Sequence, residues 1–109
     1  MNILIDIDGT VSEDIPNEES HRFSTAYVIK DAVNAVNDLY NRKHTITFFT
    51  ARTEEHRDVT ETWLHNNGFD YHNIIFGKPR GGNYVWIDNL DVRGIKYNNN
   101  WNQIIKLYP

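Results

Sequence analysis

The sequence contains no cysteine among its 109 residues, and this absence removes several kinds of chemistry at once. Disulfide frameworks, thiolate metal sites and cysteine nucleophiles are all excluded. Proline and glycine are also scarce, with 3 and 6 residues, and no linker or low-complexity tract divides the chain. We therefore expect residues 1–109 to form a single domain.

Long apolar runs are absent as well. No stretch approaches the roughly 20 apolar residues of a membrane span. The first strand-like run leads straight into Asp6 and Asp8 rather than into the apolar region of a signal peptide. These features predict a cytoplasmic, full-length protein with no membrane partner.

Basic residues are in the minority, with 11 Lys and Arg against 15 Asp and Glu and a net charge of −4. This balance argues against extended nucleic-acid binding, although a small local basic site is compatible with it. The chain is 39% hydrophobic with 5 Phe, 6 Tyr and 3 Trp, so disorder is not expected. A (β/α)8 barrel needs roughly 250 residues and is excluded.

Apolar strand-like runs alternate with helical periods along the chain. Strands are predicted at residues 1–7, 44–50, 72–76, 84–87 and, more weakly, 94–97. Helices are predicted at residues 26–42, 53–67 and 101–107. Residues 11–25, which we call the flap, show neither a helical nor a strand periodicity. This order is typical of an α/β fold with a central parallel sheet, whose ligands bind beyond the carboxyl ends of the strands.

The pentapeptide at residues 6–10, Asp-Ile-Asp-Gly-Thr, is the sharpest chemical feature. Alternation along a strand places Asp6 and Asp8 on one face at its end, and Gly9 allows a sharp turn. Two carboxylates this close repel each other unless positive charge lies between them, and Mg2+ is the natural cation. The plain structural alternative is a pair of solvated acids at a strand end.

Three other metal or phosphate motifs do not fit. An EF-hand loop needs glycine at its sixth position, but Gly9 is at the fourth. Glycosyltransferases with an Asp-x-Asp motif have much larger folds. A Walker A loop is absent, because Gly77 and Lys78 are followed by Pro79.

The pentapeptide resembles the first motif of the haloacid dehalogenase (HAD) superfamily of phosphohydrolases. Thr50 at the end of the second predicted strand, Lys78 after the third and Asp88 closing the fourth follow in the order of that family. The resemblance spans residue 2 to about residue 91. It implies a three-layer Rossmann-like core, and the gaps between its motifs are too short for a cap domain.

The resemblance also implies a Mg2+-dependent phosphomonoester hydrolase that forms an aspartyl-phosphate. In that scheme Asp6 is the nucleophile and Asp8 the general acid and base. Thr50 would bind a phosphoryl oxygen, and Lys78 would offset negative charge. Three groups would hold Mg2+: a carboxylate oxygen of Asp6, the side chain of Asp88, and the backbone carbonyl of Asp8.

One position departs from the family pattern. Many relatives carry a second acid beside the one at Asp88, but here Asn89 follows, and Asp91 lies three residues on. Either could belong to the site, as could Gly9 and Thr10 of the first motif.

Two arginines also lie beside motif residues. Arg52 and Arg80 could grip a phosphate or a substrate carboxylate. Taken alone, each of these arginines could equally be an exposed loop residue. Thr50 alone could be a structural residue at a strand end, and Lys78 alone could be a solvated loop lysine. The combination of motifs carries the interpretation.

Several alternatives stay open at this stage. The substrate could be a phosphorylated small molecule or the phosphorylated end of a larger one. A non-catalytic phosphate- or partner-binding module on the same fold is a second hypothesis, and a phosphotransferase to an alcohol is a third. The sequence leaves oligomer formation open.

Overall fold

Residues 1–108 are described by the computed structural model, and within them three parallel strands form one sheet. The strands are β1 (Asn2–Ile5), β2 (Thr45–Phe49) and β3 (Asn73–Ile75), in the order β1-β2-β3. Ile5 pairs with Phe48, and Phe49 pairs with Ile75. The predicted α/β class with a parallel sheet is therefore confirmed, with shorter strands.

Three α-helices connect or follow these strands, together with two 3-10 segments. They are α1 (Ala32–Asn41), α2 (Arg57–Asn66) and α3 (Trp101–Ile105), with 3-10 turns at Asn17–Thr25 and Glu54–His56. Gly68, in the left-handed region at φ +83°, follows the end of α2, as the sequence predicted.

Helix α1 begins later than the predicted residue 26. Residues 27–29 instead pair with the loop after β1: Tyr27 accepts a hydrogen bond from Glu13 at 2.9 Å, and Ile29 donates one to Val11 at 3.0 Å. Asp31 then has a positive φ of 67°, which no α-helix accommodates. The helical period in this stretch is therefore overridden by tertiary pairing.

The flap contributes to the core, although its sequence predicts a loop. Val11, Ile15 and Phe23 are buried among apolar side chains of the strands and helices. Burial of three large apolar groups fixes the flap against the body of the protein. Its charged residues remain outside this core.

The predicted fourth and fifth strands at residues 84–87 and 94–97 are wrong: neither forms in the described structure. The apolar side chains of residues 84–87 are exposed, with Val85 at 85% and Ile87 at 92%. Gly81, Gly82 and Asn83, directly before this stretch, all have positive φ values. Such successive turns break the extended path from β3 that a fourth strand would need.

No helix within residues 1–108 combines the length and apolar character that crossing a membrane requires.

Candidate active site at the carboxyl ends of the strands

The turn after β1 brings the first motif to the carboxyl edge of the sheet. The Ile7 carbonyl accepts hydrogen bonds from the N–H groups of Thr10, Val11 and Ser12 at 2.9 to 3.1 Å. Gly9 has φ +81°, a conformation that other residues rarely adopt. The predicted sharp turn at Gly9 is therefore confirmed.

Asp6 is held by two side chains from different parts of the chain. Lys78 Nζ lies 2.8 Å from Asp6 Oδ1, and Thr10 Oγ1 donates a hydrogen bond to Asp6 Oδ2 at 3.1 Å. The Asp6 side chain is still 35% exposed, whereas Lys78 is 14% exposed. The carboxylate is thus oriented and charge-compensated while remaining accessible from solvent.

Asp8 is bound by Arg52 through both carboxylate oxygens. Arg52 Nε and Nη2 donate to Asp8 Oδ2 and Oδ1 at 3.0 and 2.8 Å. The Arg52 side chain is fully buried, with Nη1 donating to Thr60 Oγ1 at 2.9 Å and the guanidinium 3.7 Å from the Phe23 ring centroid. This planar, bidentate arrangement fixes the direction of the Asp8 carboxylate.

Arg52 is therefore not available to a substrate in this structure. The interpretation that Arg52 grips a phosphate or a substrate carboxylate stays a prediction, since its donors face Asp8 and Thr60 in this arrangement. The positive charge near the two acids comes from Arg52 and Lys78, one for each carboxylate. The repulsion between Asp6 and Asp8 is thus offset by protein side chains.

Thr50 and Lys78 are positioned by hydrogen bonds that prolong the pairing of β2 with β3. Thr50 N–H donates to the Ile75 carbonyl, and Lys78 N–H donates to the Thr50 carbonyl, both at 2.9 Å. This extension places Lys78 opposite Asp6, 72 residues away in sequence. It explains how a lysine on a loop acquires a defined direction.

The Thr50 side chain is buried, and its oxygen accepts a hydrogen bond from Arg52 N–H at 3.1 Å. Within residues 1–108, no acceptor binds its hydroxyl proton. That proton is consequently free to be donated to another oxygen.

The flap touches the rim of this site. Asn17 Nδ2 donates to the Ala51 carbonyl at 3.2 Å, between Thr50 and Arg52. Glu18 Oε1 lies 3.3 Å from Arg80 Nη2. The flap therefore contacts both segments that follow the second and third strands.

Helix α3 contacts the first motif through Trp101. Trp101 is buried, and its Nε1 donates to the Thr10 carbonyl at 2.8 Å. Because Thr10 also binds Asp6, the helix is linked to the candidate nucleophile through one residue.

Sequence reasoning missed four of these supporting residues. Phe23 and Thr60 contact Arg52, and Trp101 contacts Thr10. Asn17 contacts Ala51, between Thr50 and Arg52. Only Phe23 carried a recognisable signal, as the single aromatic side chain in the flap sequence.

Asp88 does not join Asp6 and Asp8. It lies on the exposed stretch after Lys78, where its carboxylate accepts hydrogen bonds from Leu90 N–H and Trp86 Nε1 at 3.0 and 3.2 Å. These local hydrogen bonds lower the pKa of the Asp88 carboxyl. Asn89 and Asp91 are exposed on the same stretch.

The described residues therefore do not fit a complete Mg2+ site in this arrangement. Residues 1–108 contain no group of three or more His, Asp or Glu side chains placed to hold a metal ion. Asp6 offers its carboxylate beside Lys78, whereas the Asp88 carboxylate accepts hydrogen bonds from its own stretch. Asp88 would have to approach the end of β1 for the predicted ligand set to assemble.

Comparison with known proteins finds similarity in structure only. No family model matches the chain, and no curated protein matches it. A chain of a Pnkp1/Rnl/Hen1 complex superposes with a TM-score of 0.62 at 20% identity, over 81% of this chain and 30% of its own length. An MCSG target from Vibrio cholerae gives a TM-score of 0.60 at 17% identity, with both chains fully covered.

A chain of the Pnkp1/Rnl/Hen1 RNA repair complex gives a TM-score of 0.61 at 19% identity over 97% of this chain. The present chain spans about 30% of the length of the two complex chains that it matches. At these identities the likeness concerns the fold alone, an α/β domain with a parallel sheet.

Proposed function

We propose that this protein is a phosphomonoester hydrolase, a small member of the HAD superfamily that works through an aspartyl-phosphate on Asp6. The observation that carries the proposal is the 2.8 Å contact between Lys78 Nζ and the accessible Asp6 carboxylate, with Asp8 held two residues away by Arg52. A lysine beside a nucleophile can offset the negative charge of an incoming phosphate.

In the first step an Asp6 oxygen attacks phosphorus, and the bond from phosphorus to the ester oxygen breaks. Asp8 gives a proton to the leaving oxygen, so that an alcohol departs. To carry that proton, Asp8 has to release one of its two oxygens from Arg52. Thr50 donates its free hydroxyl proton to a phosphoryl oxygen, and Lys78 balances the charge. An aspartyl-phosphate then remains on Asp6.

In the second step Asp8 removes a proton from water, and the resulting hydroxide attacks the phosphorus. The bond between phosphorus and the Asp6 oxygen breaks, inorganic phosphate leaves, and both carboxyl groups return to their starting states. Because Arg52 fixes the direction of Asp8, one carboxyl group can serve both proton transfers. General acid and base catalysis of this kind is worth about 10²- to 10⁴-fold in rate.

Mg2+ is part of the proposal as the cofactor that the family resemblance implies. When bound, it would supply charge stabilisation to the phosphoryl group. Its proposed ligands are Asp6, the Asp8 backbone carbonyl and Asp88, and the exposed stretch that carries Asp88 has to move for them to meet.

We further propose the finer architecture of a three-layer Rossmann-like core without a cap domain. The interval from Asp8 to Thr50 contains only the flap, α1 and β2, and the interval from Thr50 to Lys78 contains only a 3-10 turn, α2 and β3. Access to Asp6 is then governed by the flap rather than by a separate domain.

The substrate class is a phosphorylated small molecule or the phosphorylated end of a larger one. The fold likeness to chains of an RNA repair complex brings a phosphorylated RNA end into the group of candidates worth assaying. Extended nucleic-acid binding fits poorly with a net charge of −4.

The proposal is tested by measuring phosphate release from a panel of esters with and without Mg2+. The panel contains sugar phosphates, nucleoside monophosphates and a short 3′-phosphorylated RNA, and alcohols are added to reveal phosphoryl transfer. Release from at least one ester supports the hydrolase. Binding of phosphate without release from any ester would instead favour the non-catalytic module, and a phosphorylated alcohol as main product would favour the transferase.

A further inference from the structure

Arg80 is a cationic side chain that the proposed reaction does not use. It lies two residues beyond Lys78, with Pro79 between them favouring an extended backbone at Lys78. Two residues of extended chain span roughly 7 Å, so Arg80 is within reach of a group attached to a phosphate at Lys78. Its side chain is 60% exposed.

A carboxylate of the protein itself faces this arginine. Glu18 Oε1 lies 3.3 Å from Arg80 Nη2, and the Glu18 side chain is 71% exposed. Its own backbone N–H and the Arg80 guanidinium lower the pKa of the Glu18 carboxyl. An exposed ion pair of this kind contributes little to stability, and another anion can replace it readily.

Glu18 lies in the middle of the flap, between two buried residues. Ile15 on one side and Phe23 on the other are both buried in the core. Between them, the exposed Glu18 side chain makes the ion pair with Arg80. The Glu18 side chain can therefore turn away from Arg80 while the flap stays fixed on both sides of it.

We propose that Arg80 binds a second anionic group of the substrate and that Glu18 occupies this position until the substrate displaces it. The preferred substrates would then be phosphomonoesters that carry an additional carboxylate or phosphate. This inference rests on the proposed function, because it takes Asp6 and Lys78 as the place where the first phosphoryl group binds.

Two inert phosphonates test the inference without requiring turnover. 3-Phosphonopropionate carries a phosphonate and a carboxylate, whereas propylphosphonate has the same chain without the carboxylate. Titration calorimetry on the full chain gives the dissociation constant of each, and their ratio reports the carboxylate alone. We expect 3-phosphonopropionate to bind more tightly to the wild type.

Three variants locate the effect. Arg80→Gln should reduce the preference for 3-phosphonopropionate by about two- to fivefold, since an accessible charge pair is screened by solvent. Glu18→Gln should increase that preference, because the competing carboxylate is gone. Arg42→Gln is the matched control: it breaks another exposed ion pair, with Asp38, before β2 rather than after it, and should leave the ratio unchanged.

An equal ratio in the wild type and in Arg80→Gln would overturn the inference, as would a decrease in Glu18→Gln. Calorimetry separates this failure from that of the proposed function. Selective binding without hydrolysis of any ester would refute the hydrolase and retain Arg80 as an anion-binding residue. Failure of both phosphonates to bind would overturn the inference, whereas phosphate release from the ester panel decides the proposed function independently.

Discussion

Arg52 grips both carboxylate oxygens of Asp8 across 44 residues of sequence, at 3.0 and 2.8 Å. The guanidinium is fully buried, whereas Asp8 keeps 17% of its side chain exposed. The cation is thus removed from solvent, and the acid that it orients can still meet a reactant. This relationship turns a repulsive pair of aspartates into two carboxylates with separate cationic partners.

Removal of the Arg52 charge should destabilise the fold strongly. Arg52→Gln leaves Asp8 without its partner and opens the contact with Phe23, and we expect a loss of about 3–5 kcal/mol in the free energy of unfolding. Urea denaturation measures this loss. Arg57→Gln is the control, since Arg57 pairs with Glu54 and Glu61 on the surface and should matter far less. Equal losses in the two variants would contradict this reading.

Trp101 should couple stability to activity. Trp101→Phe removes the hydrogen bond to the Thr10 carbonyl, and we expect a loss of about 1–3 kcal/mol together with a lower kcat. Trp63→Phe is the matched control, because it removes a similar buried bond, to the Ala26 carbonyl, outside the first motif. Comparable destabilisation with unchanged kcat is expected there. A kcat in Trp101→Phe equal to that of Trp63→Phe would show that Thr10 is not positioned by Trp101.

In the proposed Mg2+ site, the exposed stretch that carries Asp88 moves to the end of β1, and Asp88 should then determine the Mg2+ concentration needed for activity. Asp88→Asn keeps the size of the side chain but removes a charge, and we expect the Mg2+ concentration for half-maximal activity to rise by about tenfold or more. Asp91→Asn, on the same exposed stretch, serves as the comparison. The same half-maximal concentration in Asp88→Asn and the wild type would remove Asp88 from the ligand set.

His44 predicts a loss of stability in mild acid. Its Nδ1 lies 3.0 Å from the N-terminal amine. Burial lowers the pKa of the imidazole below its ordinary 6.5, and the positive charges of that amine and of Arg42 lower it further. His44 therefore binds a proton more readily in the unfolded chain than in the folded one. Its contribution to stability is fully present above the pKa that it has in the unfolded chain, and it is lost as the pH falls through the pKa that it has in the folded protein.

Urea unfolding at about pH 8 and about pH 5 measures this dependence. His44→Gln should show a smaller difference between the two conditions than the wild type does. An unchanged difference would mean that the imidazole does not contribute.

Local features of the sequence predicted the parts of the site that depend on short-range geometry. The turn at Gly9 follows from its freedom at positive φ, and β2 follows from its run of β-branched and aromatic residues. Lys78 follows β3, whose end lies beside the end of β2, and its role in the site stays a prediction.

Features that depend on long-range packing were not predictable. Nothing near Arg52 in sequence indicates that its partner is Asp8, because burial against Phe23 and Thr60 determines its direction. The apolar run at residues 84–87 has strand composition, yet the turns at residues 81–83 carry it away from the sheet. A high β-propensity is a property of the residues themselves, whereas strand pairing also requires a neighbouring strand in register.

The proposed aspartyl-phosphate on Asp6 can be trapped by rapid acid quenching and detected by peptide mass spectrometry. With an ester that the wild type hydrolyses, the peptide containing Asp6 should gain the mass of one phosphoryl group, and Asp6→Asn should show neither the adduct nor phosphate release. Hydrolysis by Asp6→Asn at the wild-type rate, or a phosphoryl group found on another residue, would rule out Asp6 as the nucleophile.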